Sequence, residues 1–320
     1  MADILGLVLP FFGLIFSGVL LARLMRLPIE ALGWMNAFIL YLALPALFIQ
    51  LLARTPFERL AEGAFILGSV LSTFVVFVLG FAFSALFMRD GVPSAAMRGL
   101  ASAYGNIGYM GPGLALVALG PEAAVPVALI FCFENVMHFT LAPLLMAAGG
   151  AERASLPKLA LGVVSKIVLH PFVLATMVGV GAAYLELRFP VAVDRYIDLL
   201  ARGAAPCALF AMGVTLALRP FGRAPVELLP IALLKLIVHP ALVYLVLGWI
   251  GSFDPSWVFT AVLLAALPTA TNVFVIANQY GVWTERASAA ILLTTCASVL
   301  TLTLLIYAAK SGMLPPDPFP

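Results

Sequence analysis

Two stretches of this apolar sequence interrupt segments that are otherwise long enough to cross a bilayer. They read Gly105-Asn106-Ile107-Gly108-Tyr109-Met110-Gly111-Pro112-Gly113 and Pro268-Thr269-Ala270-Thr271-Asn272. Glycine, proline and asparagine disturb helical hydrogen bonding, and a backbone group left unpaired in hydrocarbon costs several kcal/mol. Such interruptions persist only where they are buried in protein or line a wet cavity. Both stretches are therefore predicted to lie inside the protein at membrane depth.

The composition is that of an integral membrane protein. The 320 residues are 63% hydrophobic and 10% charged, whereas soluble domains carry about 25% charge. The net charge of +2 comes from basic residues in short loops and gives no reason to expect nucleic-acid binding. Phosphate-cradling loops, metal-ligand spacings and nucleophile–base sets are absent from the sequence, so we expect no enzyme activity, cofactor or metal.

About 20 apolar residues are needed to cross a bilayer, and this requirement predicts an all-α fold with ten spans. Basic residues are more frequent in the loops after the odd-numbered spans, nine against five. By the positive-inside rule this bias places those loops in the cytoplasm and both termini on the other side of the membrane. The predicted spans are 3–23, 31–53, 63–88, 96–119, 122–148, 160–185, 192–218, 227–250, 256–280 and 287–309. The basic loop residues are Arg23, Arg26, Arg89, Arg98, Arg153, Lys158, Arg219, Arg223 and Arg286 against Arg54, Arg59, Arg188, Arg195 and Lys310.

The two halves of the sequence resemble each other. Pro10 and Pro45 are 35 residues apart, as are Pro171 and Pro206, and similar apolar residues flank each proline. We predict two five-span repeats, residues 1–150 and 158–310. Because five is odd, the second repeat would be inverted in the membrane relative to the first, which is the plan of many secondary transporters.

In such a plan the interrupted segments are spans four and nine, and they would meet near the middle of the membrane. Each interruption leaves a half-helix N-terminus with unpaired N–H groups and partial positive charge. Two such ends in a region of low dielectric constant favour an anion. A matched pair of interrupted spans is the best sequence indication of a transporter's substrate site.

Four segments resemble the auxin efflux carrier (PIN-like) family, in its compact bacterial form. The run from Asn106 to Gly113 is similar to that family's fourth helix, and the run from Ala266 to Gly281 to its ninth. The segments Leu44-Pro45-Ala46-Leu47-Phe48 and Ala205-Pro206-Cys207-Ala208-Leu209-Phe210-Ala211-Met212-Gly213 are also typical of it. This sequence departs from the family pattern at Gly113 and Val273, where prolines are usual, so plant hormone specificity is not carried over.

The resemblance implies the ten-helix fold of the bile-acid sodium symporters, with helices 4 and 9 broken and crossing. It implies a scaffold domain (1–55 and 160–220), through which homodimers form, and a transport domain (61–148 and 225–310). It also implies elevator-type movement and small carboxylate substrates such as malonate or malate.

The substrate-binding candidates lie in the two interrupted segments. Asn106 and Asn272 rank first, because an amide offers both donors and an acceptor beside unwound backbone. The further candidates are Gly108, Tyr109, Gly111, Pro112, Pro268, Thr269 and Thr271.

Charged residues inside spans are costly and are therefore functional candidates. Glu134 and His138 share a helix face, and we consider them for proton coupling or for a structural role. Lys235 and Arg202 are candidates for attracting the anion, with lipid headgroup or carbonyl contacts as the alternative. The motif Lys-x-x-x-His-Pro occurs at Lys166 and again at Lys235, and its role stays open.

The sequence thus predicts a secondary active or facilitative carrier of small organic anions in the bacterial inner membrane, surrounded by lipid. Two alternatives remain open. One is a sodium-coupled organic-anion symporter of the bile-acid type, and the other is a membrane receptor that binds a ligand without moving it. Substrate identity, coupling ion, direction of transport and oligomeric state are not determined by the sequence.

Overall fold

The computed structural model describes residues 2–26, 28–57, 62–150, 161–162, 164–165, 168–218 and 226–318. Within these ranges all regular secondary structure is helical. The helices are α1 Ala2–Met25, α2 Gly33–Ala53, α3 Gly63–Met88, α4 Val92–Ala103, α5 Gly111–Leu119, α6 Pro121–Ala148, α7 Pro171–Tyr184, α8 Val191–Leu218, α9 Val226–Ile250, α10 Pro255–Ala265, α11 Thr271–Tyr280 and α12 Thr284–Lys310.

Six of the described helices are long and apolar enough to cross a membrane, so the chain is a multi-pass membrane protein. They are α2, α3, α6, α8, α9 and α12. The fourth and ninth predicted spans are each divided into two short helices, α4 with α5 and α10 with α11. In the N-terminal part of the sixth predicted span, residues 160, 163, 166 and 167 lie outside the described residues. The total of ten crossings and the inverted repeat stay predictions.

The chain divides into two compact units. The first comprises Met1–Gly63, Gly108–Cys132 and Val168–Arg219, and the second comprises Ala64–Ile107, Phe133–Ile167 and Pro220–Pro320. In the first unit α1 packs directly on α8. A Cβ atom at Gly213 would lie 1.9 Å from the carbonyl oxygen of Ile15, so only glycine allows the two helices to approach this closely.

The second unit has an apolar core built around α4. Met97 and Leu100 of α4 are fully buried and belong to the same cluster as Val273 of α11 and Ala287 of α12. The core therefore holds the first half of the fourth predicted span and the second half of the ninth in one packed body.

The placement of Arg98 in a loop was wrong. Arg98 lies in α4 and is only 2% exposed. Its guanidinium bonds Asp90 at 2.9 Å and Glu227 at 3.2 Å, and Arg286 bonds the same glutamate at 2.6 Å. Two carboxylates compensate the loss of hydration, which is what allows an arginine to be buried. Without Arg98 the count made from the sequence falls to eight against five, and the side on which the termini lie stays a prediction.

Candidate functional site

The first interruption separates α4 from α5. Helix α4 ends at Ala103, and Tyr104 adopts an extended backbone conformation with ψ of 98°. Helix α5 begins at Gly111 with Pro112 in its first turn. A proline is tolerated there because the first N–H groups of a helix have no intrahelical acceptor.

The second interruption separates α10 from α11. Helix α10 ends at Ala265, and Ala270 is extended, with ψ of 144°, immediately before α11 begins at Thr271. Pro268 lies between the two helices and cannot donate a backbone hydrogen bond. The break therefore leaves carbonyl groups at the end of α10 and N–H groups at the start of α11 that need other partners.

The two interruptions hydrogen-bond to each other. The N–H of Asn106 donates to the carbonyl of Pro268 at 2.8 Å, and the N–H of Ala270 donates to the carbonyl of Tyr104 at 2.9 Å. Gly105 and Thr269 thus form an isolated antiparallel bridge. We call residues 104–106 and 268–270 the backbone pairing. It satisfies polar groups that would otherwise be unpaired in a buried region.

Side chains of the second unit reinforce the backbone pairing. The Thr269 hydroxyl donates to the carbonyl of Ala101 at 2.7 Å, and the Thr269 N–H donates to the Thr294 hydroxyl at 3.1 Å. A Cβ atom at Gly105 would lie 3.2 Å from the carbonyl oxygen of Leu264 and 3.3 Å from Nζ of Lys235. Gly105 thus permits both the α10 backbone and a lysine ammonium to lie against the pairing.

Tyr104 joins several polar residues beside the backbone pairing. Its hydroxyl donates to Oδ1 of Asn135 and accepts a hydrogen bond from Nδ2 of Asn272 at 2.8 Å. The ring of His138 stacks on the Tyr104 ring with centroids 4.1 Å apart. Asn272 is half-buried, whereas Asn106, Tyr104, Asn135 and His138 are almost fully buried.

A chain of buried polar side chains runs from α6 to α9. The Thr73 hydroxyl donates to Oε1 of Glu134 at 2.7 Å and lies 3.0 Å from Nε2 of His239. Nδ1 of His239 lies 3.0 Å from Nζ of Lys235. The same ammonium donates to the carbonyl of Ala265, the last residue of α10. Lys235 therefore lies at the negative end of a helix dipole, where a positive charge is stabilised.

Glu134 and His138 do not bond through their side chains. Nδ1 of His138 lies 2.7 Å from the backbone carbonyl of Glu134, one helical turn earlier, while the Glu134 carboxylate contacts Thr73. Within the part of the chain that the structure describes, Nε2 of His138 is buried without a hydrogen-bond partner. The shared helix face predicted proximity, but the carboxylate is held by a different residue.

The remaining candidates belong to the first unit. Gly108 and half-buried Tyr109 precede Gly111 and Pro112, which open α5. A Cβ atom at Gly108 would lie 3.0 Å from the Phe131 ring. The structure therefore gives this glycine a packing reason.

Arg202 also lies in the first unit, and 76% of its side chain is exposed. Its Nε donates to Asp198 at 2.7 Å, and Gln50 donates to the same carboxylate at 3.1 Å. Arg202 and Gln50 line an otherwise apolar cavity of about 390 Å³. Gly113 and Leu116 of α5 belong to its wall. Lys166 lies outside the described residues.

Two residues of these polar groups were not anticipated from the sequence. Tyr104 directly precedes the first interruption, and its position at the end of α4 was an available indication. Thr73 is one hydroxyl in an apolar helix, and it contacts Glu134 and His239 across large separations in sequence. No local pattern distinguishes it from its neighbours.

Comparison with known proteins identifies relatives that cover most or all of the chain. A protein of Rhizobium meliloti (strain 1021) named "Putative malonate transporter" is 61% identical over 320 residues, covering 100% of both chains. A protein of Escherichia coli (strain K12) named "Uncharacterized transporter YfdV" is 26% identical over 285 residues, covering 86% of this chain and 88% of its own.

The family comparison agrees with the resemblance seen in the two interrupted segments. The model of the family described as "Membrane transport protein" matches residues 3–306, nearly the whole chain. The identification with auxin efflux carrier-like proteins is confirmed by this match. The chain belongs to the membrane transport protein family.

Proposed function

We propose that this protein is a secondary carrier of small dicarboxylates, with malonate and malate as the first substrates to test. The full-length relative whose name includes malonate supports this substrate class. Membership of a transport family favours a carrier over an enzyme. In this proposal the substrate binds where spans four and nine meet, and elevator-type movement alternates its access between the two sides of the membrane.

The backbone pairing is the observation that carries the proposal. It joins the backbones of the two interrupted spans inside the second unit. Helix α11 begins next to it at Thr271, and its first N–H groups carry partial positive charge. The Lys235 ammonium lies on the α10 side of the same pairing. Together these groups form an electropositive, partly desolvated environment suited to a carboxylate.

Asn272, Tyr104 and Asn106 supply hydrogen bonding beside this positive charge. An amide can donate to a carboxylate and also accept from neighbouring backbone groups. Asn272 is half-buried, so its amide is the group of this set that a ligand reaches first. In the proposal Thr269 and Thr271 also contact the substrate, and Gly108, Tyr109, Gly111 and Pro112 stay candidates for doing so.

The proposal includes proton coupling through Glu134 and His138. It further places the protein in the bacterial inner membrane with both termini outside the cytoplasm, as a homodimer through its scaffold domain. If coupling is to protons, a pH gradient accelerates malonate uptake into proteoliposomes and Glu134→Gln removes this acceleration. Uptake that ignores both the gradient and the substitution contradicts proton coupling, and uptake that requires external Na⁺ supports the sodium symporter instead.

A thermal-shift screen tests the substrate class directly. A ligand that prefers the folded state raises its apparent stability by RT ln(1 + [L]/Kd). We expect malonate or malate to raise the melting temperature of purified protein in detergent, and lactate to do so less. If no member of a panel of mono- and dicarboxylates raises the melting temperature, the proposal is contradicted. Binding without counterflow of labelled substrate in proteoliposomes indicates a receptor.

A further inference from the structure

The buried chain of Glu134, Thr73, His239 and Lys235 is more extensive than anion attraction requires. Each residue is at most 4% exposed, and the four side chains connect α3, α6 and α9 within the second unit. A lysine that only attracted an anion would need its carbonyl contact with Ala265 and nothing further. The continuous connection to a carboxylate therefore calls for a second explanation.

The donors and acceptors of these four side chains allow hydrogen bonds that all point from Lys235 toward Glu134. An ammonium has donors only, so Lys235 donates to Nδ1 of His239. In a neutral imidazole the other nitrogen then carries the hydrogen, and Nε2 donates to the Thr73 hydroxyl oxygen. The Thr73 proton can reach the carbonyl of Ser69 at 3.1 Å or Oε1 of Glu134 at 2.7 Å. The shorter distance and the negative charge favour the carboxylate.

We propose that Thr73 and His239 form an oriented proton relay between Lys235, beside the backbone pairing, and Glu134 in α6. This inference rests on the proposed carrier function and adds the route by which protons are coupled to the anion. Each link of the relay is a hydrogen bond of 2.7 to 3.0 Å.

The transfer conserves atoms and net charge. Nζ of Lys235 gives one proton to Nδ1 of His239, Nε2 of His239 gives its proton to the Thr73 oxygen, and the Thr73 hydroxyl proton passes to Oε1 of Glu134. The ammonium becomes an amine, the carboxylate becomes a carboxylic acid, and His239 changes tautomer. The reverse transfer restores the ion pair. The relay can therefore hold its proton on Lys235 or on Glu134.

An anion beside Lys235 changes which form is stable. The anion favours the charged ammonium, and each of its carboxylate groups adds one negative charge to a region where isolated charge is expensive. When Lys235 passes its proton along the relay to Glu134 and takes up one proton from outside, one of these negative charges is compensated. That proton must leave again when the anion is released without replacement. Net transport therefore uses the relay, whereas exchange of one anion for another does not.

Four titratable groups lie along or beside the relay. Glu134 and His138 lie on α6, and Lys235 and His239 lie on α9. The fifth ionisable group nearby, the Tyr104 phenol, stacks on His138 and donates to Asn135. Helix α3 contributes the neutral Thr73 hydroxyl. Since Thr73 bridges the two helices that carry the charges, its removal should separate proton movement from substrate binding.

The test compares two assays of the same protein in proteoliposomes. Exchange measures labelled malonate entering against internal malonate at equal pH, and net uptake measures malonate entry driven by a pH gradient alone. We expect Thr73→Val to keep exchange within about threefold of wild type and to lower net uptake by at least about tenfold. Thr73→Ser should restore net uptake, because it restores the hydroxyl.

Ser72→Ala is the matched control. Ser72 is the adjacent residue, equally buried, and its hydroxyl donates to the carbonyl of Gly68 at 2.7 Å on its own helix. Both assays should keep wild-type rates in this variant. If Thr73→Val does not fold, His239→Gln provides the same test, since an amide cannot change tautomer as an imidazole does. It should also lose net uptake while keeping exchange.

The outcomes separate the relay from the carrier function. Net uptake by Thr73→Val at the wild-type rate overturns the relay. An equal fall of both assays, at an unchanged melting temperature, assigns Thr73 a structural role and also overturns it. Wild-type protein that exchanges malonate but ignores a pH gradient contradicts the relay and leaves the carrier intact. Wild-type protein that exchanges no carboxylate contradicts both.

Discussion

The two compact units differ in where charged side chains lie, with several buried in the second unit and those of the described ion pairs exposed in the first. In the second unit Lys235 is 0% and Glu134 4% exposed, and intervening side chains connect them. In the described residues of the first unit the ion pairs lie at the surface, with 76% of the Arg202 side chain and 59% of the Arg54 side chain exposed. Buried charges must be compensated and strongly affect stability, whereas exposed pairs contribute little. Charge in the second unit is therefore the better indication of function.

Removal of the Lys235 charge should have the largest effect on stability. Lys235→Met leaves the Glu134 carboxylate buried without a cation, and breaking a buried pair costs about 3–5 kcal/mol. The expected result is a large loss of stability when the variant is unfolded by denaturant or heat in detergent. If Lys235→Met were as stable as wild type, Lys235 would not be a charge that compensates the Glu134 carboxylate.

The double variant Lys235→Met with Glu134→Gln provides the control. It removes both charges, so no uncompensated carboxylate remains in the second unit. We expect it to recover most of the lost stability, since a neutral replacement of a buried pair is often tolerated. A double variant that loses the sum of both single effects would show that the two residues do not interact.

Substitutions in the two interruptions should lower stability less than Lys235→Met does and should weaken malonate binding. Asn272→Ala removes a half-buried amide and Asn106→Ala a buried one. For each variant we expect malonate to bind about 1–3 kcal/mol more weakly, which is about 5- to 150-fold in Kd. Titration of purified variants by calorimetry measures this change. Wild-type affinity in both variants would remove the two amides from the site.

Arg202 should have the smallest effect on stability. Its pair with Asp198 is exposed to solvent, so Arg202→Gln should melt at a temperature indistinguishable from wild type. Arg54→Gln is the matched control, because Arg54 also pairs with an exposed aspartate of α8 at 2.9 Å. If Arg202→Gln lost as much stability as is expected for Lys235→Met, the two units would not differ in how strongly their charges affect stability. A malonate KM that rises for Arg202→Gln alone would place Arg202 on the substrate's path.

The interruptions were predictable from sequence, because local chemistry causes them. Proline, glycine and asparagine disturb helical hydrogen bonding, so interruptions close to Ala103 and Ala265 follow from the neighbouring residues themselves. The link between Thr73 and Glu134 spans 61 positions and depends on how three helices pack. Arg98 shows the same limit, since its burial requires Glu227, which is 129 positions away.

The central claim is that a dicarboxylate binds beside the backbone pairing, and counterflow of labelled malonate in proteoliposomes tests it most directly. Wild type, Asn272→Ala and Asn278→Ala should be compared at equal reconstituted amounts. Asn278 is an exposed residue of the same helix α11 and serves as the control. We predict rapid counterflow for wild type and Asn278→Ala and a fall of at least about fivefold for Asn272→Ala at subsaturating malonate. Equal counterflow by all three proteins, or none by wild type, would contradict the claim.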